Sequence, residues 1–173
     1  MRTILISISA EHNANIESGR KSAELRTRPP KCELPIRVLT YESGKHGRHK
    51  VTNEWICRDM REYKDGDYPS SLSPVSCVPM SYINEYTDNC RKKLTVMYIT
   101  DLKVYDKPRE LSEFYVEGDC DCMNCKKCYW FDKGNGYDVE DDCNLAYKGA
   151  DLHKSFKPIT RPPQSWMYVE VEK

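Results

Sequence analysis

Apolar residues are sparse along the chain, and where they cluster they alternate more often than they follow a helical period. Thr3-Ile4-Leu5-Ile6-Ser7-Ile8 predicts a first strand buried on at least one face. Ser9 then offers an N-cap and Glu11 an acid in the first turn, so a short helix is expected over 10–18, ending at Gly19. Its apolar positions, Ala10, Ala14 and Ile16, are few, so it needs a sheet to hold it. Leu34 to Tyr41 and Lys50 to Arg58 predict two more strands, separated by the polar, glycine-bearing stretch 42–49. Residues 59–80 are rich in Pro, Ser and Gly and predict a long connection. Over 81–89 Tyr82, Ile83 and Tyr86 fall at helical spacing, which predicts a short helix with these three in the core. Lys93 to Tyr105 is the most strand-like run. A turn is expected at Asp106-Lys107-Pro108, with Pro108 near the start of a short helix through Glu110, Leu111 and Phe114. A proline-stiffened approach, 159–163, leads to a last strand over 165–171. Its Met167, Val169 and Val171 form the core face and its Trp166 and Tyr168 the other.

The stretch from Ser18 to Arg28 breaks this pattern. Gly19 permits a left-handed turn, and a dense set of charges follows. In an extended chain Ser22, Glu24 and Arg26 share one face, and Lys21 joins them if the chain turns just after Gly19. Read from charge alone, this is a solvated edge strand; read as chemistry, it is a compact set of two cations around a carboxylate.

Gly19-x-Lys21-x-x-Glu24-x-Arg26, preceded by a strand and a helix, resembles the signature of ASCH domains, small β-barrels related to PUA and EVE modules. The resemblance extends to 50–57, to 96–105 and to the tail 161–170, in that order, and is similar to uncharacterised bacterial and phage-encoded ASCH-domain proteins. It implies an α+β fold: a PUA-like mixed β-barrel of about five or six strands with a few short helices. It also implies a cleft that binds RNA or a nucleotide. Lys21, Arg26 and Arg28 would meet phosphates, Glu24 would orient Arg26 or accept a base amino group, Trp55 or Trp166 would stack a base, and Arg161 and Gln164 would line the rim. A second implied activity is amide hydrolysis on N4-acylated cytidine. The relatives that do this place a nucleophilic Thr three residues after the motif lysine, where this chain has Glu24, a poor substitute for a hydroxyl. Lys21 and Glu24 handling protons around a water is the catalytic variant left open, with Glu54 as a second carboxylate. His46, His49 and the basic loop that carries them are the only residues suited to nuclease chemistry, and the two histidines with the loop's cations are suited to holding a phosphate. The bland reading of that loop is a hairpin tip.

At 173 residues the expectation is one domain, residues 1–173, with 115–157 as an insertion. The formal net charge is zero, but residues 20–50 carry nine Lys/Arg against three Asp/Glu, whereas residues 110–142 carry ten acids against three lysines. A basic first third binds polyanions through its own field, and opposed patches equally allow a protein partner, including an inhibitor role. The start of the chain lacks the features of a signal peptide and no run has transmembrane length, so a soluble, cytoplasmic protein with no membrane partner is expected. There are nine cysteines, and in that compartment they point to metal or free thiols rather than disulfides. Cys120-x-Cys122-x2-Cys125-x2-Cys128, followed by Cys143, has the spacing at which paired thiolates converge on one ion. The expected cofactor is structural zinc on Cys122, Cys125, Cys128 and Cys143, with Cys120 as substitute; an iron–sulfur cluster and redox thiols fit the same spacing. Cys57 and Cys77 read as packing residues.

Overall fold

The computed structural model describes residues 1–64, 66–119 and 154–171. Its frame is a curled half-barrel: a six-stranded mixed sheet in the order β2-β5-β4-β3-β1-β8, with a three-stranded sheet, β7-β6-β9, at one side. The strands of the large sheet are β1 (Thr3–Ser9), β2 (Ala23–Arg26), β3 (Ile36–Ser43), β4 (Val51–Tyr63), β5 (Leu94–Arg109) and β8 (Trp166–Tyr168). The small sheet holds β6 (Phe114–Asp119), β7 (Lys154–Pro158) and β9 (Glu170–Val171), and the helices are α1 (Ala10–Glu17), α2 (Leu72–Ser76) and α3 (Met80–Tyr86). The architecture is the α+β, PUA-like one. Among the described residues no helix is long and apolar enough to cross a membrane.

β1 pairs in parallel with β3 and is covered on both faces, which is why its apolar run is nearly continuous. Ile4, Ile6 and Ile8 enter one core cluster with Ile16 of α1, Val38, Trp55 and Met97. Leu5 enters another with Leu39, Phe114, Ile159 and Val169, beneath the small sheet. A third cluster places Ala23 and Leu25 of β2 against Leu72 of α2, Ile83 of α3 and Val96 of β5. The β4–β5 ladder shifts register at three places, between Val51/Asn53, Glu54/Ile56 and Cys57/Met60. Such bulges bend strands and increase twist, so the two longest strands curl the sheet.

Three expectations are corrected by these elements. No turn or helix begins at Asp106-Lys107-Pro108: β5 runs on to Arg109, and only a single 3-10 turn, Leu111–Glu113, follows. Pro108 falls within a register shift, where Val104 pairs with Asn53 and Arg109 with Val51, so its missing N–H costs no ladder bond. The last strand is divided at Val169: β8 pairs with β1, β9 with β6, and the Val169 N–H donates to the Thr3 carbonyl between them. Residues 59–63 extend β4 rather than opening a loop.

α1 is held as much by polar contacts as by Ile16. Its fully buried Asn13 donates to the Glu42 carboxylate (2.6 Å) and to the Thr52 hydroxyl (3.0 Å), and accepts from the Asn53 amide (2.7 Å). Burial pushes the Glu42 carboxyl up, but hydrogen bonds from Arg48 and Asn13 outweigh it and hold the group below its ordinary range. Replacing Asn13 by Ala leaves these groups buried without their shared partner. Urea denaturation is expected to record a loss of about 2 kcal/mol; a loss under about 0.5 kcal/mol would mean that water replaces the amide.

Candidate functional site

The expected left-handed turn is present: Gly19 has φ +75°, and the Lys21 N–H donates to the Asn15 carbonyl at 2.9 Å. The chain thereby folds Lys21 back before β2 begins. Lys21 Nζ lies 3.1 Å from Glu24 Oε2 and donates to the Ser76 carbonyl at 2.8 Å. That carbonyl ends α2, where backbone acceptors lack intrahelical partners and a cation is favoured. Arg26 Nη2 lies 3.0 Å from Glu24 Oε1 and donates to the Ser7 carbonyl, also at 3.0 Å. Although β2 is an edge strand, the cluster is not solvated: the Lys21 side chain is 2% exposed and that of Arg26 13%. α2 and α3 pack over β2 and exclude water from it.

Burial alone pushes the Glu24 carboxyl up; the adjacent Arg26 and Lys21 charges outweigh that and hold it below the ordinary carboxylate range. His12 of α1 is shifted down, first by burial and then by the Lys21 charge, so its imidazole stays neutral below its ordinary range. His12 Nδ1 and Arg26 Nε are buried and have no hydrogen-bond partner among the described residues.

These groups open on one cleft of about 270 Å3, lined by Ser7, Ile8 and Ser9 at the end of β1, His12 of α1, Lys21, Glu24 and Arg26, and Tyr82 and Tyr86 of α3. The two tyrosines do not join the core as their spacing suggested. Ile83 alone of the three is buried, while Tyr82 is 56% and Tyr86 39% exposed. Their i,i+4 spacing places both rings on one side of α3, at the cleft.

The other predicted site residues separate. Trp55 is fully buried and donates from its indole to the Thr40 hydroxyl, so it presents no ring face to a ligand. Trp166 is half-buried, and its indole donates to the Arg28 carbonyl at 2.6 Å. This bond ties β8 to the chain just after β2, and the Arg26–Ser7 bond ties β2 to β1, so both span the open side of the half-barrel. The Arg28 side chain is exposed and does not line the cleft. Arg161 and Gln164 are exposed and do not line it. Gln164 nonetheless sits between Pro163, whose carbonyl accepts from the Ser7 hydroxyl, and Ser165, whose carbonyl accepts from the Ser7 N–H. Glu54 belongs to a different set, with Arg37 and the Tyr105 hydroxyl. His46 and His49 are exposed and absent from the cleft lining, and Arg48 between them is bound to Glu17 and Glu42.

Cys57 is a core residue whose thiol burial pushes up to about 11, and Cys77 is half-buried at the end of α2. Cys120, Cys122, Cys125, Cys128 and Cys143 lie outside the described residues. Among the described residues no group of three or more His, Cys, Asp or Glu is placed to hold a metal ion.

This half-barrel, with its cleft beside the first helix, is the ASCH-domain fold. It is shared with crystal structures of ZmASCH from Zymomonas mobilis. The chain is similar to ZmASCH at 15% identity, covering 98% of this chain and 88% of that one with a TM-score of 0.61. Two substitution variants of ZmASCH match at 14% and 15% identity with TM-scores of 0.61 and 0.62, covering 98% of this chain and 91% and 89% of theirs. No family model matches the sequence. No curated protein matches it.

Proposed function

We propose that the cleft binds a nucleotide, free or within an RNA strand. The observation that carries this reading is the pairing of two exposed tyrosine rings with a buried cluster of two cations around one carboxylate, across a single small cavity. The rings supply a stacking platform, and the surplus positive charge suits a phosphate. Lys21 and Arg26 both line the cleft, so their charges act on a ligand held there.

Calorimetric titration with short single-stranded RNAs and with ribonucleoside monophosphates tests it. The double substitution Tyr82→Ala and Tyr86→Ala is expected to weaken binding about tenfold or more with little change in thermal stability, because both rings are exposed. Arg28→Gln is expected to lower the slope of log affinity against log salt by about one. Affinities and slopes that do not move would remove the cleft from the binding surface. Chemistry separates from binding in the same samples. The offset where acyl transfer needs a hydroxyl is held by Glu24, with both oxygens engaged by cations, so acylated cytidine is expected to be recovered intact by mass spectrometry.

A further inference from the structure

We infer that the cleft takes single-stranded RNA rather than a free nucleotide, and that the strand leaves it past Ser7 and Arg26 onto a phosphate track of Arg28, Lys31 and Arg2, held in place by Trp166 and Tyr168. The inference rests on the nucleotide reading above and names the form of its ligand.

β8 is an edge strand of the large sheet, and its two aromatic rings hold the cationic segments beside it. The Trp166 indole donates to the Arg28 carbonyl at 2.6 Å. The Tyr168 hydroxyl lies against the Lys31 backbone and the Cys32 thiol. The Arg2 guanidinium rests over the Tyr168 ring, 5.2 Å from its centre, and the two rings meet edge to face, also at 5.2 Å. Pro29 and Pro30 stiffen the short link between Arg28 and Lys31. Three cations are thus gathered around one pair of rings. A guanidinium already resting on a ring gives up little further freedom when it meets a phosphate.

All three cations are exposed, and among the described residues none of them is in an ion pair. Around β4 and β5, by contrast, Arg58 is paired with Asp101, Arg61 with Asp59, and Lys64 and Lys93 with Glu62. Glu33 and Glu170, each two residues past Lys31 or Tyr168, are exposed and form no ion pair with the three. A cationic strip left unneutralised in this way attracts a polyanion.

The strip begins where the cleft ends. Arg26 lines the cleft, and Arg28 follows two residues on, within about 7 Å even for a fully extended chain. Ser7, on the same rim, is hydrogen-bonded to Pro163 and Ser165, which lead into Trp166. A mononucleotide seated between Lys21 and Tyr82 uses the cleft alone, whereas a strand meets both.

The test titrates the protein with ribonucleoside monophosphates and with single-stranded RNAs of increasing length, up to about eight nucleotides. The longest RNA is expected to bind about fiftyfold tighter than a monophosphate, more than its number of nucleotides supplies by chance. The double variant Arg2→Gln, Lys31→Gln should lose most of that gain while keeping its affinity for the monophosphate and its thermal stability. Its slope of log affinity against log salt for the longest RNA should fall by about 1.4, at about 0.7 per phosphate of a single strand. Tyr168→Leu keeps every charge but removes the ring under Arg2, so it should lose part of the gain with the slope unchanged. A native gain no larger than the number of nucleotides accounts for overturns the track and leaves a nucleotide cleft standing. A gain that survives the double variant sends the strand another way and overturns it too. A double variant that loses monophosphate and RNA equally puts these cations in the cleft itself, which also overturns a separate track. Binding of neither monophosphate nor RNA by the native protein removes the nucleotide reading together with this one.

Discussion

Replacing Glu24 by Leu is expected to cost about 3–5 kcal/mol of stability, more than any exposed charge change in this chain. The carboxylate is the hub of the cluster: Lys21 and Arg26 approach its two oxygens from either side. Without it, the Lys21 ammonium at 2% exposure keeps only the Ser76 carbonyl and is left buried with no counter-charge. The double variant Lys21→Met, Glu24→Leu removes charge and partner together. It should recover most of the loss, because apolar replacement of a buried pair is close to neutral. Both variants should lose nucleotide binding, so stability and function part company in the double one. Acid titration gives a further check. The Glu24 carboxyl is held below its value in the unfolded chain, so its contribution is full above about pH 4.5 and is lost as pH falls through the folded value. His12, also held low, acts in a higher window: stability falls as pH drops below about 6.5, until the folded imidazole is protonated as well. Its surroundings include the cations Lys21 and Arg26 and the acids Glu24 and Glu11, so protonation there meets charges of both signs. The double variant should flatten the lower window. A Glu24→Leu variant within about 1 kcal/mol of the native protein would mean that water reaches Lys21 and that the cluster is not dry.

The cluster was legible because its logic is local. Glycine enters the left-handed turn cheaply, and residues two apart along a strand share a face, so Gly19, Lys21, Glu24 and Arg26 could be brought together from spacing alone. Its dryness was not legible, because the cover comes from α2 and α3, some fifty residues on, whose packing against β2 no local pattern records. The same limit governs the aromatics. The helical spacing of Tyr82, Ile83 and Tyr86 was read as a core face for all three, but spacing alone does not say which face meets the core. Ile83, with its fully apolar side chain, takes the buried position and turns the tyrosines to the cleft. Trp55 came from the resemblance alone, as a ring to stack a base; the structure puts it in the interior, where Thr40 satisfies the indole N–H. His12 was hidden in a helix with little periodicity; its only trace was its place three residues after the Ser9 cap candidate, which puts it at the helix start. Strand positions were read well in the doubly covered β1 and poorly around Pro108, where a bulge tolerates a residue that local rules treat as a breaker.

Freshly prepared, reduced protein is expected to carry about one zinc per chain and to be colourless, on our proposal that four of the five cysteines between Cys120 and Cys143 hold a closed structural site. The support is spacing and placement. Two Cys-x2-Cys steps in succession bring thiolates into range of one ion, and the acidic run that follows offers little apolar surface to fold on its own. Asp119 of β6 pairs with Lys154 of β7, so the two ends of the cysteine-bearing segment are already joined by a ladder. A metal then has only the segment itself to organise, and its removal should leave the large sheet intact. The tryptophans make this measurable: Trp130 lies within the segment, whereas Trp55 is sealed in the core by Thr40 and its neighbours. A strong chelator should release the zinc and shift the emission of Trp130, while a variant with Trp130 and Trp166 replaced by Phe should report an unchanged Trp55. Replacing Cys125 and Cys128 together by Ser should abolish metal binding outright, a loss of affinity on the order of 10 kcal/mol at neutral pH. Stoichiometric iron with visible absorbance would substitute a cluster for zinc. Protein that is metal-free when reduced and fresh would overturn the site. A shift in Trp55 on chelation would mean that the metal supports the barrel itself.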